Sequence, residues 1–133
     1  MDILTKFVLA FGLTLVALLG VLWTGLRWRV QRRRCLHLGL VGLTVALLVA
    51  TIVLALELGE AYDLESTGWI YPVHMALART ATASLLLPVV TGVAVLRTGR
   101  VHRAHRIGAL VAFVLIALAA ATGFWMVYLA PAV

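Results

Sequence analysis

The chain has 133 residues, 64% of them hydrophobic, with a mean hydropathy of +1.11. Its eleven basic and five acidic side chains cannot cover a water-facing surface of that size, which excludes a soluble globular domain and makes the bilayer the solvent. The net charge of +6 would point to nucleic acid in a soluble protein, but its distribution along the chain gives it another meaning here.

Apolar runs fall at about residues 3–26, 36–58, 70–96 and 106–130. Each meets the requirement of roughly 20 residues for crossing hydrocarbon as a helix. The first run is too long for the apolar region of a signal peptide and no small-residue cleavage pattern follows it, so it reads as a helix that stays. The connections are short: "RWRVQRRR", "GEAYDLESTGW" and "RTGRVHRAHR". They predict one all-α transmembrane domain over 1–133, an up-down-up-down bundle of four helices. Strand alternation is absent, so a β-barrel is not expected.

Charge sets the expected direction. Arg27, Arg29, Arg32, Arg33 and Arg34 lie in the first connection; Arg97, Arg100, Arg103 and Arg106 lie in or beside the third. Arginine-rich short loops stay cytoplasmic. Both termini and the acidic second connection are then outside, in a multi-pass protein of a bacterial cytoplasmic membrane. The positive charge is topological, attracts anionic lipid, and implies no nucleic-acid partner.

Smaller features fit this layout. Pro72 suits the first turn of helix 3, and Pro88 inside that helix should kink it and free the carbonyl of Ser84. Trp23, Trp28, Trp69, Tyr71, Trp125 and Tyr128 sit near span ends, as interfacial aromatics do. Gly39, Gly42 and Gly108 permit close approach of a neighbouring helix or of a flat ligand. Cys35 is single, so no internal disulfide can form. No Gly-rich phosphate loop, Ser-His-Asp set or catalytic acid pair is present, and enzymatic activity is not expected.

The histidines carry the chemistry. His37 opens helix 2 and His105 opens helix 4, both at the arginine-rich side. Two imidazoles at similar depth on diagonal helices could grip one b-type haem, with arginines available to its propionates. His102 falls in the preceding loop. His74 opens helix 3 at the other side, where Glu57 and Glu60, three apart on one face of helix 2, complete an N/O set suited to zinc, iron or copper. Arg79, well inside helix 3, is costly in hydrocarbon unless paired, and marks a cofactor contact or an ion pair with Glu57. The plain alternative is that these are polar anchors at the membrane interface.

The motifs "CLHLGL" at the start of helix 2, "YPVHMALA" at the start of helix 3, and "HRIG" leading to "ATGFWMVYL" on helix 4 carry a resemblance. The chain resembles the bacterial membrane family called domain of unknown function four-twenty, which includes the CtaM-like cytochrome oxidase maturation factors. The resemblance covers about residues 30–130 and places His37, His74 and His105 at the family's histidine positions. A weaker similarity to b561-like haem helices rests on His-Arg, a nearby Gly and a later Thr-Gly. Both imply haem-linked or metal-linked work: respiratory oxidase assembly or electron transfer. The competing expectation is a non-enzymatic accessory subunit without cofactor. It would pack against a larger membrane complex or against a second copy of itself.

Overall fold

A computed structural model describes residues 2–26, 31–100 and 103–133, with the backbone alone at 26 and 31–33. Its elements are α1 (Ile3–Leu26), α2 (Gln31–Ala61), a 3-10 turn (Glu65–Thr67), α3 (Ile70–Ser84), α4 (Leu86–Thr98) and α5 (Arg103–Leu129). Among the described residues there is no β-strand. Four helical segments are long and apolar enough to cross a membrane: Ile3–Gly25, Arg34–Ala61, Ile70–Thr98 and Arg103–Leu129.

The boundaries have local causes. Asp2 caps α1 by accepting the Thr5 N–H at 2.9 Å, and hydrogen bonding from the Thr5 side chain first and its backbone second holds the Asp2 carboxyl below the ordinary aspartate range. The second helix is longer at both ends than the apolar run 36–58, because the Gln and Arg residues at its start and Glu60 and Ala61 at its end are good helix formers. Its 31 residues span about 46 Å, more than the roughly 30 Å of a bilayer core. Pro88 acts as its chemistry requires: with no N–H to return to Ser84, the third span breaks at Leu85 into α3 and α4. The second piece ends on Gly99, at φ 69°, whose N–H bonds Val95 O at 2.9 Å. The fourth span begins at Arg103, just before the apolar run; of the preceding "RTGR", Arg97 and Thr98 close α4, and Gly99 and Arg100 lie outside a helix.

The chain divides into two compact units, Met1–Tyr62 joined by Val133, and Asp63–Ala132. The first is the hairpin α1–α2. Its polar contacts join Thr24 to His37 and Thr14 to Thr51, so the helices run antiparallel. The second is α3–α4 against α5, joined by His74 with Thr122 and by Thr91 with His105, also antiparallel.

Threonine hydroxyls follow one rule inside these helices. Thr14, Thr24, Thr44, Thr51, Thr91 and Thr122 each donate to the carbonyl four residues back, at 2.6–2.9 Å. In hydrocarbon a hydroxyl must be satisfied, and this bond does so within the helix. The oxygen lone pairs remain for a neighbour. Buried Thr14 and Thr51 meet Oγ1 to Oγ1 at 3.1 Å, and there one of the two hydroxyls turns its proton across to the other. Thr14→Val and Thr51→Val, with the double variant, should show a coupling of about 0.6 kcal/mol in detergent unfolding, the usual strength of such bonds within membranes. Strictly additive losses would deny the contact.

Candidate functional site: three seated histidines

The sequence contains five Thr-Gly pairs. Two, at Thr67-Gly68 and Thr98-Gly99, end elements with a glycine at positive φ. The other three lie within helices, and each seats one histidine from the antiparallel partner.

His37 is buried on α2, its Nδ1 2.9 Å from Thr24 Oγ1 and its ring edge against Gly25. His105, half-buried on α5, places Nδ1 3.1 Å from Pro88 O and 3.2 Å from Thr91 Oγ1, with Gly92 beneath the ring. His74, half-buried on α3, places Nδ1 3.0 Å from Ala119 O and 3.1 Å from Thr122 Oγ1, with Gly123 beneath the ring. A carbonyl oxygen can only accept. At His74 and His105 the Nδ1 atom therefore carries the proton, and Nε2 carries the lone pair. At His37 the partner is the Thr24 hydroxyl, which can donate to the ring or accept from it, so either tautomer closes that contact.

The seats obey a register. The interval from His74 to Thr91 is the same as the interval from His105 to Thr122. Each strand of the second hairpin thus carries a histidine near its start and a Thr-Gly near its end, and antiparallel pairing docks each on the other. The first hairpin follows the same register with one half missing. Counting that interval back from Thr24 reaches Phe7, and counting it forward from His37 reaches Leu54, followed by Ala55. Two turns into each repeat the side chain is small and buried: Thr14, Thr44, Ala81 and Ala112. One turn beyond the threonine position, Leu58, Val95 and Met126 are buried and apolar. The chain is a repeat of one helical unit, in which three of four seats hold a histidine.

Of the three seats, Thr122-Gly123 stands out in the sequence, whereas Thr24-Gly25 and Thr91-Gly92 escaped the sequence reading. The signal that could have found them was the shared interval. Gly108, expected to admit a helix or a flat ligand, admits the Leu87 side chain, which would lie 2.9 Å from an added Cβ. Gly39 and Gly42 are exposed with open space beside them.

The remaining candidates fall on different hairpins. Glu57 and Glu60 are exposed on α2 in the first hairpin, whereas Arg79 is exposed on α3 in the second. Among the described residues, no three His, Cys, Asp or Glu side chains gather as a metal site. The set His74, Glu57 and Glu60 is drawn from both hairpins. His102 lies outside the described residues, and Cys35 is exposed.

The seats differ in tightness, and substitution should report it. A Cβ at Gly123 would lie 2.8 Å from His74 Cε1, whereas at Gly25 or Gly92 it would lie 3.4 Å from the facing ring. Gly123→Ala should cost about 1–3 kcal/mol by overpacking. Gly25→Ala and Gly92→Ala should be near neutral, because the contact is offset by alanine's helix preference of about 1 kcal/mol. Equal losses at all three would contradict the geometry. Phe7→His alone should lower the thermal midpoint by burying an unsatisfied imidazole. Adding Leu54→Thr and Ala55→Gly should recover it by supplying the missing seat, and no recovery would break the repeat. No protein-family model, curated protein or solved structure matches the chain.

Proposed function

We propose that this is a small haem- or metal-associated membrane protein serving respiratory oxidase assembly or electron transfer, with His37 and His105 as imidazole donors to b-type haem. The observation that supports it is the fixed tautomer. A ligating histidine needs its second ring nitrogen protonated and held by an acceptor, which orients the ring and raises the basicity of the donor atom. His105 has this support from Pro88 O and Thr91, and His37 has it in the tautomer that donates to Thr24. The arginines suit propionates: Arg34 lies one turn before His37, and exposed Arg103 and Arg106 flank His105. When bound, a haem with two imidazole ligands supplies one-electron chemistry without an open position. The chain's part is to hold two lone pairs in place and to exclude water.

The arginine-rich ends are proposed to face the cytoplasm, with both termini outside, in a bacterial inner membrane. A larger respiratory complex or a second copy of this chain is the proposed partner. A second reading has its own support: the seats are complete hydrogen-bonded staples between helices, and an accessory subunit without cofactor needs nothing more.

Absorption spectra of gently purified protein, from cells supplied with haem and metals, separate the two. The haem reading expects a Soret band that shifts on reduction, lost as a low-spin spectrum in His37→Ala and in His105→Ala but kept in His102→Ala. Colourless, metal-free protein sinks it. For orientation, a cysteine placed at Val133 should react with an impermeant reagent from outside the cell and one at Arg100 should not. Labelling of Val133 only from the cytoplasm would reverse the topology.

A further inference from the structure

Arg79 is the charged side chain set deepest within any of the four apolar runs. It lies about two and a half turns into α3, roughly 13 Å along the helix from Ile70. We infer that the face of α3 around Arg79 docks a transmembrane helix of a different protein, one that carries a carboxylate in the same half of the bilayer. This rests on the larger-complex partner proposed above, names the surface and the chemistry of that contact, and is independent of haem.

Two observations, both within the second hairpin, carry the inference. The first is charge without a partner. His74 sets the face that α3 lays on α5, and at about 100° per residue Arg79 points about 140° away from it. Its side chain is exposed, and among the described residues of this hairpin it has no hydrogen-bond or ion-pair partner. A guanidinium has donors only, and an unpaired positive charge is costly in hydrocarbon. The group it calls for is an anion. The second observation is the shape of the surrounding face. Around Arg79 the exposed residues of its stripe are small: Ala76, Thr80 and Ala83. The Thr80 hydroxyl is already satisfied, donating to Ala76 O at 2.7 Å. Beyond the break at Leu85 the same stripe turns bulky, with Leu86, Val90 and Val93 exposed. Branched aliphatic side chains suit acyl chains, whereas small ones let a second helix backbone come close. The small stretch is the one that holds the charge. Side chains on a helix lean toward its N-terminus, so the guanidinium reaches toward the Ile70 end. The matching carboxylate therefore lies a turn or two below the surface from which α3 enters.

The test places the full chain in phosphatidylcholine vesicles with a synthetic single-span helix of leucine and alanine, dansyl-labelled, carrying one glutamate about two turns from its end. Energy transfer from the protein's tryptophans to the dansyl group reads association. The glutamate peptide should bind several-fold more tightly than the same peptide with glutamine. Arg79→Gln should abolish that preference, and Arg79→Lys should keep most of it. Ala83→Leu should weaken binding of the glutamate peptide by filling the close face while leaving the charge in place. Equal binding of the two peptides to the wild-type chain overturns the inference. A preference that emerges only in Glu57→Gln also overturns it, because the chain's own acid then occupies Arg79. So does a preference that phosphatidylglycerol in the vesicles removes, because lipid phosphate is then the occupant. The partner reading fails separately, if the gently purified chain sediments alone as a monomer.

Discussion

Each hairpin depends on one kind of contact: an imidazole Nδ1 hydrogen-bonded to a group on the facing helix. In hydrocarbon, apolar side chains gain nothing by leaving lipid for one another, so helix pairing rests on close packing and on polar bonds. The Thr-Gly pair provides both at one spot. Threonine satisfies its own hydroxyl within its helix and turns its lone pairs outward. Glycine removes the one atom that would hold the ring away. A histidine placed there is at once a spacer, a hydrogen-bond donor and a base with its second nitrogen committed as an acceptor. Stability and ligand readiness come from the same bond.

That coincidence explains why a histidine is used. A threonine on the facing helix would make the interhelical bond as well, and Thr14 with Thr51 shows it in the first hairpin. Such a pair has no further chemistry: one hydroxyl donates across, the other to its own helix, and no basic nitrogen is left over. Imidazole alone among the side chains here can close the contact and still keep a strong donor atom.

Much of this was legible in the sequence. Hydropathy alone located the four spans, and Pro88 announced the break in the third. The three histidines at helix starts were visible as residues out of place in apolar runs. Their partners were not. Thr91 and Thr122 are separated from the histidines they bind by 14 and 48 residues. Nothing local marks a threonine in an apolar helix as an acceptor rather than a self-satisfied hydroxyl. The recurring interval from histidine to threonine acquires meaning only when two helices are laid antiparallel, since it equals the distance between the two contacts along one strand. Phe7 was unreadable for the same reason: an absent histidine is noticed only once the repeat is known. Nor could sequence decide which side of Gly108 would be filled, because that depends on the break after Ser84 bringing Leu87 across.

The two hairpins also differ as mechanical objects. The second is pinned near both ends, at His74 and at His105, and two pins fix sliding and rotation together. A shift of α5 by a single position would move every side chain about 1.5 Å along and about 100° around, and would undo both. The first is pinned at His37 and again at its middle, by Thr14 and Thr51, while its far end rests on buried Leu58 and on the stacked rings of Phe7 and Phe11, 6.0 Å apart. It resists sliding as its counterpart does, but at its far end packing stands where the second hairpin has a hydrogen bond. One hairpin is bolted at both ends; the other is bolted at one end and the middle, and wedged at the third point.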